Sequence, residues 1–175
     1  MGILDALLPE YDHEMAGTRR LLERVPGEKL DWRPHPKSMP LGRLADHIAD
    51  IPSWVGAVLG ADHFDVAHGV SEGEGEEGGS TNGWPGSAAS ILEKFDTNVR
   101  RSRAAIAGTS EEALAEPWSL RKGEEVLFTQ PRGAALQSVL INHIIHHRGQ
   151  LGVYLRLNDV PLPQLYGPTA DEPDF

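Results

Sequence analysis

His143 and His147 stand four residues apart in NHIIHHRGQL, and His47 stands far upstream in LADHIAD. Residues at i and i+4 of a helix share a face, with Cβ atoms roughly 5–6 Å apart. That spacing lets two imidazoles hold one divalent cation, and a third from a facing helix completes a cap of three nitrogens. Three protein ligands leave a coordination position open, the arrangement of catalytic rather than structural metal sites. The plain alternative is a set of separate core imidazoles, each satisfied by its own hydrogen bonds. Two of them inside an apolar stripe, without a shared partner, would each cost about 1–3 kcal/mol if left unsatisfied. A common cation removes that cost for both.

The neighbours of these histidines divide into helpers and bystanders. Metal-bound imidazoles usually donate their second N–H to an oxygen. Asp50 follows His47 by three residues and Gln150 follows His147 by three, so either can serve or simply face water. Trp54 and Tyr154 lie two turns beyond His47 and His147, as core or as walls of a pocket. His146 points about 100° away from His147 around the helix. His13 falls off its helix's apolar stripe, and His35, His63 and His68 fall in loops, so these read as structural or solvated. Asp46 and Asp50 are conceivable bases, although exposed helix faces carry such acids routinely. No catalytic residue is assigned.

Four helical patterns must position the histidines. The first covers residues 3–25, with Leu4, Leu8, Tyr11, Met15, Thr18, Leu22 and Val25 on one stripe. A loop with three prolines leads to a second helix from Leu41 to about Leu59, which Pro52 should kink. Residues 60–86 read as loop, and their SEGEGEEGGS run buries nothing and is expected to be mobile. Ser87 is the expected N-cap of a third helix, to about Gly108. A short helical turn at Glu111–Glu116 follows, then a small hairpin turning at Lys122-Gly123, with Trp118 and Leu120 on one arm and Val126 and Phe128 on the other. The fourth helix runs from about Gly133 to Asn158, with Leu136, Leu140, His143, His147, Leu151 and Tyr154 inward. The proline-rich tail lies over the surface. This pattern predicts an all-α fold, a four-helix bundle with long connections, spanning residues 1–175 as a single domain.

Composition narrows the function. The 175 residues are 39% hydrophobic, with 26 acidic against 16 basic side chains and a formal charge of −10. Phosphate backbones need a basic surface, so a nucleic-acid partner is not expected. Arg19-Arg20 and Arg100-Arg101 read as solvated helix faces. The absence of cysteine excludes disulfides, thiolate ligands and a cysteine nucleophile. No apolar run reaches the length of a membrane span, and the acidic start does not read as a signal peptide. A cytoplasmic protein is expected.

Two segments resemble a known family. LGRLADHIADIPSW is similar to the second-helix motif of the DinB/YfiT-like metalloenzymes. LQSVLINHIIHHRGQLGVYLRLNDVPLPQLYGPTADEP is similar to their fourth helix and tail, and the order of elements matches over nearly the whole chain. The resemblance implies a four-helix bundle, often dimeric, and a divalent ion held by His47, His143 and His147. Zinc, nickel and iron all suit imidazole ligands. Some relatives are S-transferases that use a low-molecular-weight thiol such as bacillithiol or mycothiol. The implied partners are therefore a small-molecule substrate, such a thiol among them, and a second copy of the chain as a homodimer. The expectation is a metal-dependent S-transferase or hydrolase. The alternatives are a non-catalytic, metal-stabilised stress-related or binding module, and a metal-free helical interaction protein.

Overall fold

Helix α1 spans Ile3–Leu22, the opening element of a computed structural model that describes residues 2–69 and 86–174. Its first free N–H groups, on Ile3 and Leu4, donate to the Glu111 carboxylate at 2.8 and 2.9 Å, so a distant acid caps the helix. Leu7, Tyr11, Met15, Leu21 and Leu22 are buried. The helix stops three residues before the expected end. Val25 precedes Pro26, a position biased away from the helical conformation. The Arg24 and Val25 N–H groups turn to the Leu21 and Leu22 carbonyls instead.

Helix α2 (Leu41–Asp50) continues into a 3₁₀ turn (Ile51–Trp54) and then α3 (Val55–Gly60). Pro52 sits in that turn and supplies no N–H, so the expected kink takes the form of a tightened turn. The segment read as loop after residue 60 holds a short strand, β1 (His63–Asp65), and a helical turn, α4 (Val66–Gly69). The glycine–glutamate run expected to be mobile lies outside the described residues.

Helix α5 (Ala88–Ala107) is capped as expected by Ser87, whose hydroxyl accepts the Ser90 N–H at 3.1 Å. The short α6 (Glu111–Ala115) leads to β2 (Pro117–Lys122) and β3 (Glu125–Pro131). The hairpin turns on Gly123, whose φ of +62° suits glycine. Strand β1 adds in parallel to β2, giving the order β1-β2-β3. The chain is therefore mostly helical with a small three-stranded sheet, which corrects the all-α expectation. Three residues at 63–65 gave too short a pattern to read, and their pairing depends on a partner far along the chain. Trp118 anchors the sheet: it is buried and donates its indole N–H to the Ala57 carbonyl at 3.2 Å.

The last long helix is three pieces: α7 (Arg132–Ala135), a π-helical segment (Leu136–Ile141) and α8 (Asn142–Leu157). The widened segment shifts the phase of the inward stripe. Ile144, Leu151 and Leu155 are fully buried, while Tyr154, expected inward, is half-buried. Helices α1 and α2 each pack against both α5 and α8. Among the described residues, no helix is long and apolar enough to cross a membrane.

The shifted phase also buries Arg148, a residue the apolar pattern passed over. Its guanidinium donates to the Glu14 carboxylate at 2.6 Å, both side chains being at most 5% exposed. Tyr166 in the tail donates to the other Glu14 oxygen at 2.6 Å and accepts from Arg148 at 2.9 Å. A Cβ on Gly17 would stand 3.1 Å from the guanidinium, so a small residue lets the arginine through. This network ties α1, α8 and the tail together. Removing one partner strands a buried charge, so Arg148→Ala should cost about 3–5 kcal/mol in urea denaturation. The Glu14→Gln/Arg148→Met double variant, which strands none, should lose less than Arg148→Ala alone.

Candidate metal centre

His47 projects from α2, and His143 and His147 project from the first two turns of α8. The three imidazoles meet. One ligand nitrogen from each lies within 4.8 Å of the other two. His47 Nε2 and His143 Nε2 are 3.4 Å apart, and His143 Nε2 and His147 Nε2 are 2.8 Å apart. A tetrahedral ion with bonds of about 2.0–2.1 Å holds its nitrogens roughly 3.3 Å apart. The first spacing meets that figure, and the second needs a ring movement of about half an ångström.

The Nδ1–H of His147 donates to Gln150 Oε1 at 2.8 Å, which leaves a lone pair on Nε2. The His143 and His147 Nε2 atoms are close enough to share one proton or to turn lone pairs to a common cation. With one nitrogen of each ring within 4.8 Å of the others, the donor set fits a divalent ion.

Burial, followed by the nearby His147 ring, holds the His47 pKa down to about 4. Burial and the His147 and His47 rings do the same to His143, also to about 4. Both imidazoles are neutral at ordinary pH, the form that binds metal. The indole of Trp54 walls this cluster, with its ring 5.7 Å from His47 and 5.1 Å from His143.

The remaining sequence candidates separate cleanly. Of the two possible oxygen partners, Gln150 makes the bond to His147. Asp50 and Asp46 instead face Lys94, at 3.3 and 3.1 Å. His146 is exposed, stays outside the three-histidine group and lies 3.1 Å from the Gln150 amide nitrogen. His13 is exposed beside Tyr166, and His63 pairs with Asp62. His35 shapes its loop by accepting the Lys37 N–H at 3.1 Å. That loop contributes to a cavity together with Leu44, Tyr154 and Gln150, and Gln150 links it to His147. Sequence reasoning missed Lys37 and Ser38, because no periodicity marks a loop residue; the prolines around them were the available signal.

Comparison with known proteins agrees with this architecture. A model of the DinB superfamily matches residues 10–151, and the chain belongs to that superfamily. It is similar to the crystal structure of a DinB-like protein from Bacillus cereus ATCC 10987, with 22% identity and a TM-score of 0.69. That match covers 93% of this chain and 97% of the other. A DinB-like protein from Bacillus subtilis matches at 18% identity and a TM-score of 0.64, over 97% of this chain and 99% of that one. At these identities the likeness carries the fold alone. Comparison with curated proteins finds no match.

The depressed pKa values have a signed consequence for the metal-free protein. Between about 4 and the ordinary 6.5, the unfolded chain takes up protons at His47 and His143 that the folded chain refuses. Their contribution is then fully present above 6.5 and is lost as pH falls toward 4. Thermal melts of chelator-treated protein should show this decline, and a His143→Ala variant should show a shallower one. Gln150→Ala should weaken metal affinity about tenfold in chelator competition, with the circular dichroism spectrum unchanged.

Proposed function

We propose that His47, His143 and His147 hold a divalent cation, zinc, nickel or iron, and that the chain is a metal-dependent thiol S-transferase or hydrolase. The carrying observation is the convergence of one nitrogen from each of the three rings to within 4.8 Å, with His147 Nδ1 held by Gln150. Bound there, such a cation offers an open position that lowers the pKa of a thiol or a water. The chain supplies the rest. Gln150 holds the His147 ring through Nδ1, and Trp54 lays an apolar wall against His47 and His143. We read α1, α2, α5 and the α7–α8 run as a four-helix bundle within a single domain, acting in the cytoplasm as a homodimer.

A second reading has its own support. Asp46 and Asp50, the acids nearest His47 along α2, are drawn to Lys94, which favours a non-catalytic module that the metal merely stabilises.

Elemental analysis of the purified protein should find about one transition metal per chain, and His143→Ala should lose it. Saturating metal at about a hundred times its dissociation constant adds roughly 2.7 kcal/mol, so chelation should lower the melting temperature by about 5–10 °C. Cobalt-loaded protein should change its visible spectrum when a thiol is added. A metal-dependent melting temperature with no spectral response to any thiol or to hydroxide would favour the module instead. A metal-free protein with unchanged stability would overturn both readings.

A further inference from the structure

We infer that the cavity beside the three histidines is the substrate's seat and that it takes a small molecule bearing a carboxylate. The inference rests on the metal reading above and adds the substrate class. The cavity holds about 380 Å³ and is lined by Lys37, Ser38, Met39, Leu44, Gln150 and Tyr154. A volume in the low hundreds of cubic ångströms suits a small metabolite.

Its place follows from two helices. Leu44 precedes His47 by one turn of α2, and Gln150 follows His147 by one turn of α8. Leu44 and Gln150, which both line the cavity, thus each stand roughly 5 Å along a helix axis from a histidine of the centre. Gln150 belongs to both places: it lines the cavity and holds the His147 ring at 2.8 Å.

Its chemistry follows from the lining. Among the described residues, the exposed Lys37 is the one cation of the lining, and none of them there is a carboxylate. In a chain of net charge −10, that is a local reversal of sign. Among the described residues, Lys37 has no ion-pair partner. The Ser38 and Tyr154 hydroxyls and the Gln150 amide add hydrogen-bonding groups, while Met39 and Leu44 supply an apolar wall. A short aliphatic stem with a carboxylate at the Lys37 end and its reacting group toward the histidines matches this order.

The loop is built before any ligand arrives. The Leu41 N–H bonds the Trp32 carbonyl and the Gly42 N–H bonds the Leu30 carbonyl, both at 2.8 Å, which closes its neck. The Ser38 N–H bonds the His35 carbonyl at 2.9 Å, and the Trp32 ring packs edge-on against Tyr154 at 5.6 Å. Three prolines stiffen the remainder. Little ordering entropy is left to lose on binding.

The test compares 3-mercaptopropionate with 2-mercaptoethanol, which lacks the carboxylate, on cobalt-loaded protein followed by visible absorbance. The acid should bind at least about fivefold more tightly, as a charge-assisted hydrogen bond requires. Lys37→Gln should erase that preference, Lys37→Arg should keep it, and 2-mercaptoethanol should bind all three proteins alike. Equal binding of the two thiols to the unaltered protein, or a preference that survives Lys37→Gln, overturns the inference. Succinate added to metal-free protein is the second arm, read by NMR shifts. Shifts at Tyr154 and Gln150 that vanish in Lys37→Gln support the seat even if neither thiol perturbs cobalt, an outcome that sinks only the thiol reading. No shift overturns the seat.

Discussion

Imidazole nitrogens from two helices converge on one point, an arrangement suited to a divalent cation. His143 and His147 bring their Nε2 atoms to 2.8 Å, and Gln150 holds the far nitrogen of His147. Much of the surrounding architecture keeps them there. Helix α2 brings His47 against α8, the Asn98 side chain on α5 donates to the Ala49 carbonyl at 2.9 Å and steadies that part of α2, and Trp54 closes one flank. The π-helical segment ends just before Asn142, so the widened backbone sets the angle at which His143 and His147 leave α8. Such segments recur at functional sites because they re-aim side chains without ending the helix.

A second buried polar system lies on the other side of α8. His147 and Arg148 are adjacent and point to different faces, one toward the metal centre and one toward Glu14 and Tyr166. The ion pair fixes the rotation of α8 about its axis, because sliding the helix would leave a charge without its partner. Rotation of α8 sets where His143 and His147 point. The salt bridge is thus a structural element whose cost in desolvation is offset by the tyrosine hydroxyl and the Thr18 hydroxyl around it.

The legible parts were those carried by local chemistry. The Ser87 cap, the Pro52 interruption, the Gly123 turn and the i, i+4 histidine pair each depend on residues a few positions apart. The illegible parts depend on distance along the chain. Strand β1 exists because β2 lies beside it, and Arg148 is buried because Glu14 awaits it across the core. That Asp50 faces Lys94 turned on a residue of a third helix, which no local pattern marks.

By itself, the sequence determined which side chains are able to bind metal and the helical stripes that carry them, since hydrophobic period and residue type are local properties. Tertiary structure alone decided that the three rings converge, which oxygen steadies them, and that a cavity with a lysine opens one turn away. Those outcomes come from how helices rotate and pack, and a rotation of α8 by one residue would have sent the same histidines elsewhere.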